Sequence, residues 1–146
     1  MLADEVAGYL AGQGLGLTLG SSAANGVFAV PFPPEANDTA TAIIEYGGEP
    51  PLDAFGPSLS APVFERPRFQ VCCRDRSDNT ATCRGLIQSI YKKLRHFSGT
   101  MPIAFDPNST VYGFVQALSP PAFLKFDENQ RVYYVVSFSA RKVESM

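Results

Sequence analysis

The sequence lacks the features that place a protein in a membrane or on a secretion route. No apolar run approaches the roughly 20 residues that a helix needs to cross a bilayer. The first 60 residues contain no lysine or arginine, so the N-terminal stretch has no basic segment of the kind that begins a secretion signal. We therefore expect no membrane anchor and no secretion signal, and a cytoplasmic origin in which the thiols stay reduced.

Histidine and cysteine are too few, and too badly spaced, for a metal site. The chain has one histidine, His96, and three cysteines. Cys72 and Cys73 are adjacent, whereas paired zinc ligands usually lie about two to four residues apart. No known sequence signature surrounds any cysteine, and His96 lies far along the helix that carries Cys83. We expect no metal and no cofactor, and interpret the cysteines as packing residues; a small cytosolic thiol enzyme is the alternative.

Other catalytic patterns are also missing. The segment GQGLGLTLG (Gly12–Gly20) follows a predicted helix and lacks the Lys-Ser/Thr ending of a phosphate-binding loop, so we interpret it as loop and turn. Asp127 and Glu128 are adjacent at a predicted turn, and no second acidic pair completes a glycosidase or two-metal site. These absences favour a protein that is not an enzyme.

Length and composition favour one folded domain. The chain has 146 residues, 45% of them hydrophobic, which suits a single domain over residues 1–146. Twelve prolines and twelve glycines indicate long loops, and the stretch Glu49–Val63 is predicted to be a surface excursion. The fold class that we predict is α+β: a mostly antiparallel β-sheet, with an N-terminal helix and a central amphipathic helix packed on it.

The predicted elements follow from hydrophobic periodicity. Apolar residues recur every three or four positions in Leu2–Leu10 and Thr80–Phe97, which predicts the two helices. Alternating or β-branched stretches predict strands at Val27–Pro34, Thr39–Gly48, Arg66–Arg74 and Val111–Leu118, the first of them near an edge because of its prolines. A hairpin is predicted from Phe123–Phe126, an acidic turn and Arg131–Arg141.

Charge is distributed unevenly along the chain. Residues 1–60 contain seven acids and no basic residue, and residues 61–146 contain seven acids and all twelve basic residues, so the halves carry −7 and +5. This asymmetry can form salt bridges within one domain, or give two faces of opposite sign that suit head-to-tail packing of copies. Four arginines cluster on and around one predicted strand (Arg66, Arg68, Arg74 and Arg76). They suit either a nucleic-acid patch or a salt-bridged protein interface.

Two stretches resemble a known family. ERPRFQVCCRDRS (Glu65–Ser77), followed by the helix GLIQSIYKKL, is similar to the strand–helix element of tail-terminator proteins of tailed phages, also called minor capsid or tail-completion proteins. SPPAFLKFDENQRVYYVVSFSARKV (Ser119–Val143) resembles the closing hairpin of that family. The chain departs from the pattern at Leu124-Lys125-Phe126, where the family often has Leu-Gly, and at the Cys72-Cys73 pair.

The resemblance implies a structural virion protein made in the bacterial cytoplasm. Such proteins form a ring, typically of six copies, on the head-proximal end of the tail tube, stop tube polymerisation and dock the head connector. The implied partners are other copies of the chain, the tail tube protein and head-closure proteins, and genome DNA passes through the ring without specific binding. A head-closure or connector-adaptor protein of the phage neck is the alternative.

A set of charged residues is the candidate interface with the next subunit or the tube. Arginine pairs well with carboxylates across protein interfaces, and a closed ring needs two different complementary patches on each copy. On the pattern alone, reversal of Arg68 and Arg74 to glutamate is expected to block assembly without unfolding. The candidate residues are Arg66, Arg68, Arg74, Arg76, Asp127, Glu128, Arg131 and Arg141.

Overall fold

The sheet of this protein dominates its architecture. The computed structural model describes residues 2–22, 24–29, 31–34, 36–53, 63–95, 97, 99–103 and 106–144. In this part of the chain, two α-helices pack on one eight-stranded sheet. The predicted α+β class is therefore confirmed. Neither of these helices is long and apolar enough to span a membrane.

Both predicted helices form. Helix α1 spans Leu2–Ala11, and helix α2 spans Thr80–Leu94 after a short 3₁₀ turn at Ser77–Asn79. Helix α2 ends three residues before the predicted limit at Phe97. The backbone N–H of Phe97 donates to the carbonyl of Leu94, and the carbonyl of Phe97 accepts from Val115, so the chain turns there toward the sheet.

The strands are joined mainly by antiparallel pairing. Their order across the sheet is β1-β2-β3-β4-β8-β6-β5, and β7 pairs with β8. Only β1 with β2 and β2 with β3 pair in parallel among the described strands. The strands are β1 Thr18–Leu19, β2 Gly26–Phe28, β3 Ala40–Asp53, β4 Val63–Arg76, β5 Gly99–Ile103, β6 Asp106–Ala117, β7 Ala122–Phe126 and β8 Arg131–Glu144.

Several strand predictions differ from the structure. Strand β3 continues to Asp53, so the first part of the predicted excursion Glu49–Val63 is strand; residues 54–62 lie outside the described residues. Pro50 and Pro51 have no N–H to donate, and the pairing of β3 with β4 is irregular between Glu49 and Leu52, where they lie. On the other edge, β2 pairs only with Ala40–Ala42 and so requires no donor from either proline. Strands β1 and β5 were not predicted, and Thr18–Leu19 of β1 lies in the segment that was interpreted as loop and turn. Strand β2 is shorter than the Val27–Pro34 prediction.

Strands β6 and β7 act as one interrupted strand along the same edge of β8. Ala117 of β6 pairs with Phe138, and Ala122 of β7 pairs with Val135. The intervening segment contains two consecutive prolines, which have no N–H to donate to a ladder. The interruption leaves β7 as a separate five-residue strand in the hairpin with β8.

The core lies between the helices and one face of the sheet. The alternation predicted for β4 and β8 is confirmed, because one side-chain row of each strand is buried in the helix-facing core. The Phe69 and Phe138 rings stack there with centroids 5.1 Å apart. The buried apolar residues of these two rows are Phe69, Val71, Cys73, Val132, Val136, Phe138 and Ala140.

Part of the opposite sheet face is covered by the loop before β3. Phe32 from this loop packs edge-on against Tyr133, with ring centroids 5.9 Å apart, and under the guanidinium of Arg74. Cys72 and Arg74 are buried on this side of the sheet. Farther along the same face, Arg68 is half-buried and Tyr46 is exposed.

Candidate assembly surface

The most unusual surface feature is strand β7, whose five residues are all exposed. Phe123, Leu124 and Phe126 are 48%, 50% and 61% exposed, and Leu118, just before the strand, is 48% exposed. β7 is hydrogen-bonded to β8 along one edge, and none of the described strands pairs with its other edge. An exposed apolar edge strand is a template for pairing with another chain, and soluble proteins normally protect such edges.

The apolar side chains of β7 form an aromatic cluster with the adjacent strand. The ring centroids of Phe123 and Phe126 are 5.1 Å apart, and those of Phe123 and Tyr134 are 5.8 Å apart. Lys125 lies on the opposite face, where its ammonium is 4.9 Å from the centroid of the Tyr133 ring. The cluster is therefore ordered by intramolecular contacts, yet its outer surface faces solvent.

Asp127 organises the turn that follows β7. Its Oδ1 accepts hydrogen bonds from the backbone N–H groups of Asn129 and Arg131, both at 2.9 Å. Its Oδ2 accepts from Arg131 Nε at 2.6 Å and from the Tyr133 hydroxyl at 2.8 Å. Gln130 adopts a left-handed conformation with φ of 58°, which closes the turn. Burial disfavours the carboxylate, but these hydrogen bonds outweigh burial and hold the pKa of Asp127 well below its ordinary value.

Arg131 ties the hairpin to the loop before β3. Its side chain is 20% exposed and pairs with Asp127 at 2.6 Å and with Asp38 at 3.4 Å. The charges of Asp127 and Arg131 are therefore paired within the molecule. Glu128, at the tip of the turn, is exposed. Of the three candidate interface residues in this hairpin region, the structure leaves Glu128 as the one directed to solvent.

Arg74 is a buried structural residue, which corrects the expectation that its charge can be reversed without unfolding. It is 5% exposed, and its guanidinium lies 4.3 Å from the centroid of the Phe32 ring. It donates hydrogen bonds to the backbone carbonyls of Ala36, Asn37 and Asp38, the shortest at 2.7 Å. A carboxylate in this position would face three carbonyl oxygens, so reversal is expected to disrupt the loop before β3.

The remaining candidate arginines do not form one patch. Arg76 is exposed and pairs with Asp78 at 3.4 Å. Arg68 lies on the same sheet face as Arg74, but six residues along β4 separate them by about 20 Å. Arg141 is exposed near the end of β8. Arg66 belongs to β4, and its side chain lies outside the described residues. The charged set is thus divided between the two ends of β4 and β8.

The three thiols are unsuited to nucleophilic catalysis. All three cysteines are free and buried. Burial raises the pKa of Cys72 to about 11 and that of Cys83 to about 12, and it also raises the pKa of Cys73 strongly. Cys73 Sγ lies 3.5 Å from Thr41 Oγ1, and Cys83 Sγ lies 3.5 Å from the Cys73 carbonyl oxygen. These contacts are those of packing residues; His96 lies outside the described residues.

Two further surfaces carry polar groups. An open depression of about 330 Å³ is lined by Asp38, Arg76, Ser77, Asp78, Asn129 and Gln130. Helix α2 contains no acid, and its basic residues (Arg84, Lys92 and Lys93), with Arg95 just after it, are all exposed. Among the described residues, no group of three or more potential ligand side chains could hold a metal ion.

Sequence reasoning missed the exposed apolar character of β7. The stretch AFLKF was correctly placed in a hairpin, but its outward apolar residues were not selected as interface residues. The available signal was the absence of alternation: apolar side chains occupy consecutive positions in a short strand after two prolines. Such a pattern is typical of a strand that is buried on both faces, and here no described segment buries either face of β7.

Comparison with known proteins identifies the family. The sequence profile of the family described as "Bacteriophage tail terminator protein" matches residues 9–144. Among solved structures, a chain of the "Virion of native gene transfer agent (GTA) particle" has the same fold, with a TM-score of 0.51 and 16% identity. The match covers 81% of this chain and 78% of that chain. No curated protein sequence matches significantly. The chain belongs to the bacteriophage tail terminator family and is a structural protein of the tail or neck of a virion.

Proposed function

We propose that copies of this protein form a ring on the head-proximal end of the tail tube, where the ring stops tube polymerisation and docks the head connector. The observation that carries the proposal is the family match over residues 9–144. The ring, the tube contact and the docking role are what the resemblance of Glu65–Val143 to tail terminators implies. A ring of six copies is the expected assembly.

The exposed strand β7 supports an assembly role. A monomer would leave Phe123, Leu124 and Phe126 in water beside an unpaired backbone edge. Complete burial of a fully exposed side chain of this kind contributes about 1.5–3 kcal/mol. These three side chains are already about half covered, so covering the rest of each contributes roughly half of that, which still favours association. The hydrogen-bonded turn at Asp127 fixes the strand before a partner arrives, which reduces the ordering entropy lost on binding.

The buried cysteines and the hydrogen-bonded Asp127 fit a structural role. The thiols are buried with raised pKa values, and the Asp127 carboxylate is occupied by four hydrogen-bond donors. A general acid–base role needs a carboxyl whose pKa lies near the operating pH, and the pKa of Asp127 is shifted in the opposite direction. Asp127 and its hydrogen-bond donors thus serve folding.

Tail length in particles made without this gene tests the proposed function. The gene is deleted, particles are imaged by negative-stain electron microscopy, and tail lengths are compared with those of a strain complemented with the intact gene. Overlong, variable tails detached from filled heads are expected, because nothing would then stop tube growth. Complementation should restore one tail length.

Two other outcomes would refute the tube-capping role. Tails of normal length beside leaky or tailless heads would assign the protein to head closure or to a connector adaptor. Normal infectious particles made without the gene would show that the protein has no essential structural role. A complementing copy with Phe123, Leu124 and Phe126 replaced by serine is expected to reproduce the deletion phenotype, because it loses the apolar surface for assembly. The variant should still fold, since these exposed side chains contribute little to the core of the monomer.

A further inference from the structure

Six strands form a continuous row across the sheet, and its two ends are exposed. The paired residues of this row run from Leu19 in β1 through Val27, Thr41, Cys73 and Tyr134 to Phe123 in β7. Leu19 is 45% exposed and Phe123 is 48% exposed. The row therefore begins and ends with a large apolar side chain in solvent, on two different edges of one sheet.

Strand direction and side-chain direction are compatible with joining these two edges. β1 runs parallel to β3, and three successive antiparallel pairings lead from β3 through β4 and β8 to β7, so β7 runs opposite to β1. Leu19 and Phe123 lie on the helix-bearing face, because both belong to the row that contains the core residues Val27 and Cys73. Thr18 and Lys125 belong to the adjacent row, on the opposite face.

The helices on the sheet differ in the charged side chains that they expose. Helix α1 packs mainly against β5 and β3, and also against β1 and β2; it contains no basic residue, and of its two acids Asp4 is exposed and Glu5 is buried. Helix α2, which packs against β4 and β8, contains exposed basic residues and no acid. If the β7 edge of one copy meets the β1 edge of another, the basic helix of the first approaches a helix that exposes no basic side chain. This arrangement avoids the repulsion between like charges that would disfavour the contact.

We propose that the occupant of the β7 edge is a second copy of this chain, whose β1 adds antiparallel to β7 and continues the sheet from subunit to subunit. This contact is heterologous, because two different edges meet, and repetition of a heterologous contact closes a ring when the rotation allows it. The inference rests on the proposed ring and names the surfaces that build it. Main-chain hydrogen bonds hold the copies together, and Phe123, Phe126 and Leu19 contribute apolar contact.

Disulfide trapping in assembled particles tests the contact. A double variant, Leu19→Cys with Phe126→Cys, is supplied in place of the wild-type gene, and purified particles are oxidised mildly and separated on non-reducing gels. Facing residues of antiparallel strands have Cα atoms about 4.5–5.5 Å apart, within the range of a disulfide. The native thiols should not interfere, because they are buried and their pKa values are raised.

The matched control places the second cysteine on the opposite face of β7. Ala122 pairs with Val135 and lies in the row of Cys72, so the double variant Leu19→Cys with Ala122→Cys presents its two thiols on opposite faces of a continued sheet. A continued sheet requires the side-chain alternation to hold across the contact. We expect at least about tenfold more disulfide-linked trimers and higher multimers from the same-face pair than from this control. A second same-face pair, Leu19→Cys with Phe123→Cys, tests the register in which Leu19 of one copy faces Phe123 of the next.

The outcomes separate this inference from the proposed function. Linked multimers from the same-face pairs alone support it. Linked dimers from Phe126→Cys by itself would indicate a two-fold β7–β7 contact and overturn it. Particles that contain the protein but yield no same-face cross-links also overturn it, while the ring itself stands. Particles of normal tail length that lack the protein would instead refute the proposed function.

Discussion

The turn between β7 and β8 depends on one carboxylate, and replacing Asp127 with alanine removes four hydrogen bonds together. Two come from the backbone of Asn129 and Arg131, one from the guanidinium of Arg131 and one from the hydroxyl of Tyr133. The side chain of Asp127 is only 12% exposed, so water replaces these contacts incompletely. The variant is expected to fold with a loosened hairpin.

The loss of stability can be bounded from the contacts. A hydrogen bond to a charged group contributes about 1.5–3 kcal/mol, and the four act as one unit at a partly exposed turn, so we expect a net loss of about 2–4 kcal/mol. Asp127→Asn retains an oxygen for the backbone donors and loses the charge, and should fall between alanine and wild type. Glu128→Ala, at an exposed neighbouring position, should change the free energy of unfolding by less than about 0.5 kcal/mol.

The pH dependence of this difference has a defined sign. The pKa of Asp127 is lower in the folded protein than its ordinary value of 3.8. The unfolded state therefore takes up the proton first, so the contribution of Asp127 is complete above 3.8 and is lost as the pH falls toward the folded-state pKa. The gap between wild type and Asp127→Ala should be constant from about pH 5 to 7 and narrow below about pH 4.

Urea unfolding followed by circular dichroism measures these differences. The midpoints of wild type, Asp127→Ala, Asp127→Asn and Glu128→Ala are compared at pH 7 and at pH values down to about 3.5. A loss for Asp127→Ala no larger than that for Glu128→Ala would refute the assignment of the turn's stability to this carboxylate. A gap that widens as the pH falls would contradict the direction of the pKa shift.

Three other predictions follow from burial. Arg74→Glu should destabilise the fold by more than about 3 kcal/mol, because it removes a buried cation held by three carbonyls, whereas Arg76→Glu on the same strand should leave the thermal midpoint nearly unchanged. Ile87→Ala should lower the free energy of unfolding by about 2–5 kcal/mol in urea titrations, against little change for the exposed Gln88→Ala. The three thiols should react with a thiol-specific reagent at neutral pH only as fast as the protein unfolds, so rapid labelling of folded protein would contradict their burial.

Local patterns were sufficient to predict the helices and the long strands. The spacing of Val6 and Leu10 and of Ile87, Ile90 and Leu94 defines buried helical stripes that the structure confirms. The alternation in β4 and β8 likewise indicated the correct faces. Strand β5 could not be predicted in this way, because GTMPI contains a glycine and a proline and becomes a strand only through its pairing with β6.

The roles of charged residues depended on contacts distant in sequence. Arg74 and Arg76 are two positions apart on β4, so the alternation assigns both side chains to the same face of the sheet. Both were therefore predicted to be interface residues. The loop at residues 36–38 buries Arg74 and leaves Arg76 in solvent. The residues next to either arginine in the sequence give no sign of this contact, because the loop is more than 30 residues away. The same holds for Arg131, whose partner Asp38 is 93 residues away.

The position of the protein in the assembled particle tests the proposed role most directly. Cryo-electron microscopy of the neck and the upper tail, with rotational symmetry determined from the images, would place this fold within the density. A ring of copies at the head-proximal end of the tail tube, in contact with the last tube ring, is expected. Density for this fold on the head side of the neck, along the whole tube, or nowhere in the particle would contradict its role as the cap of the tube.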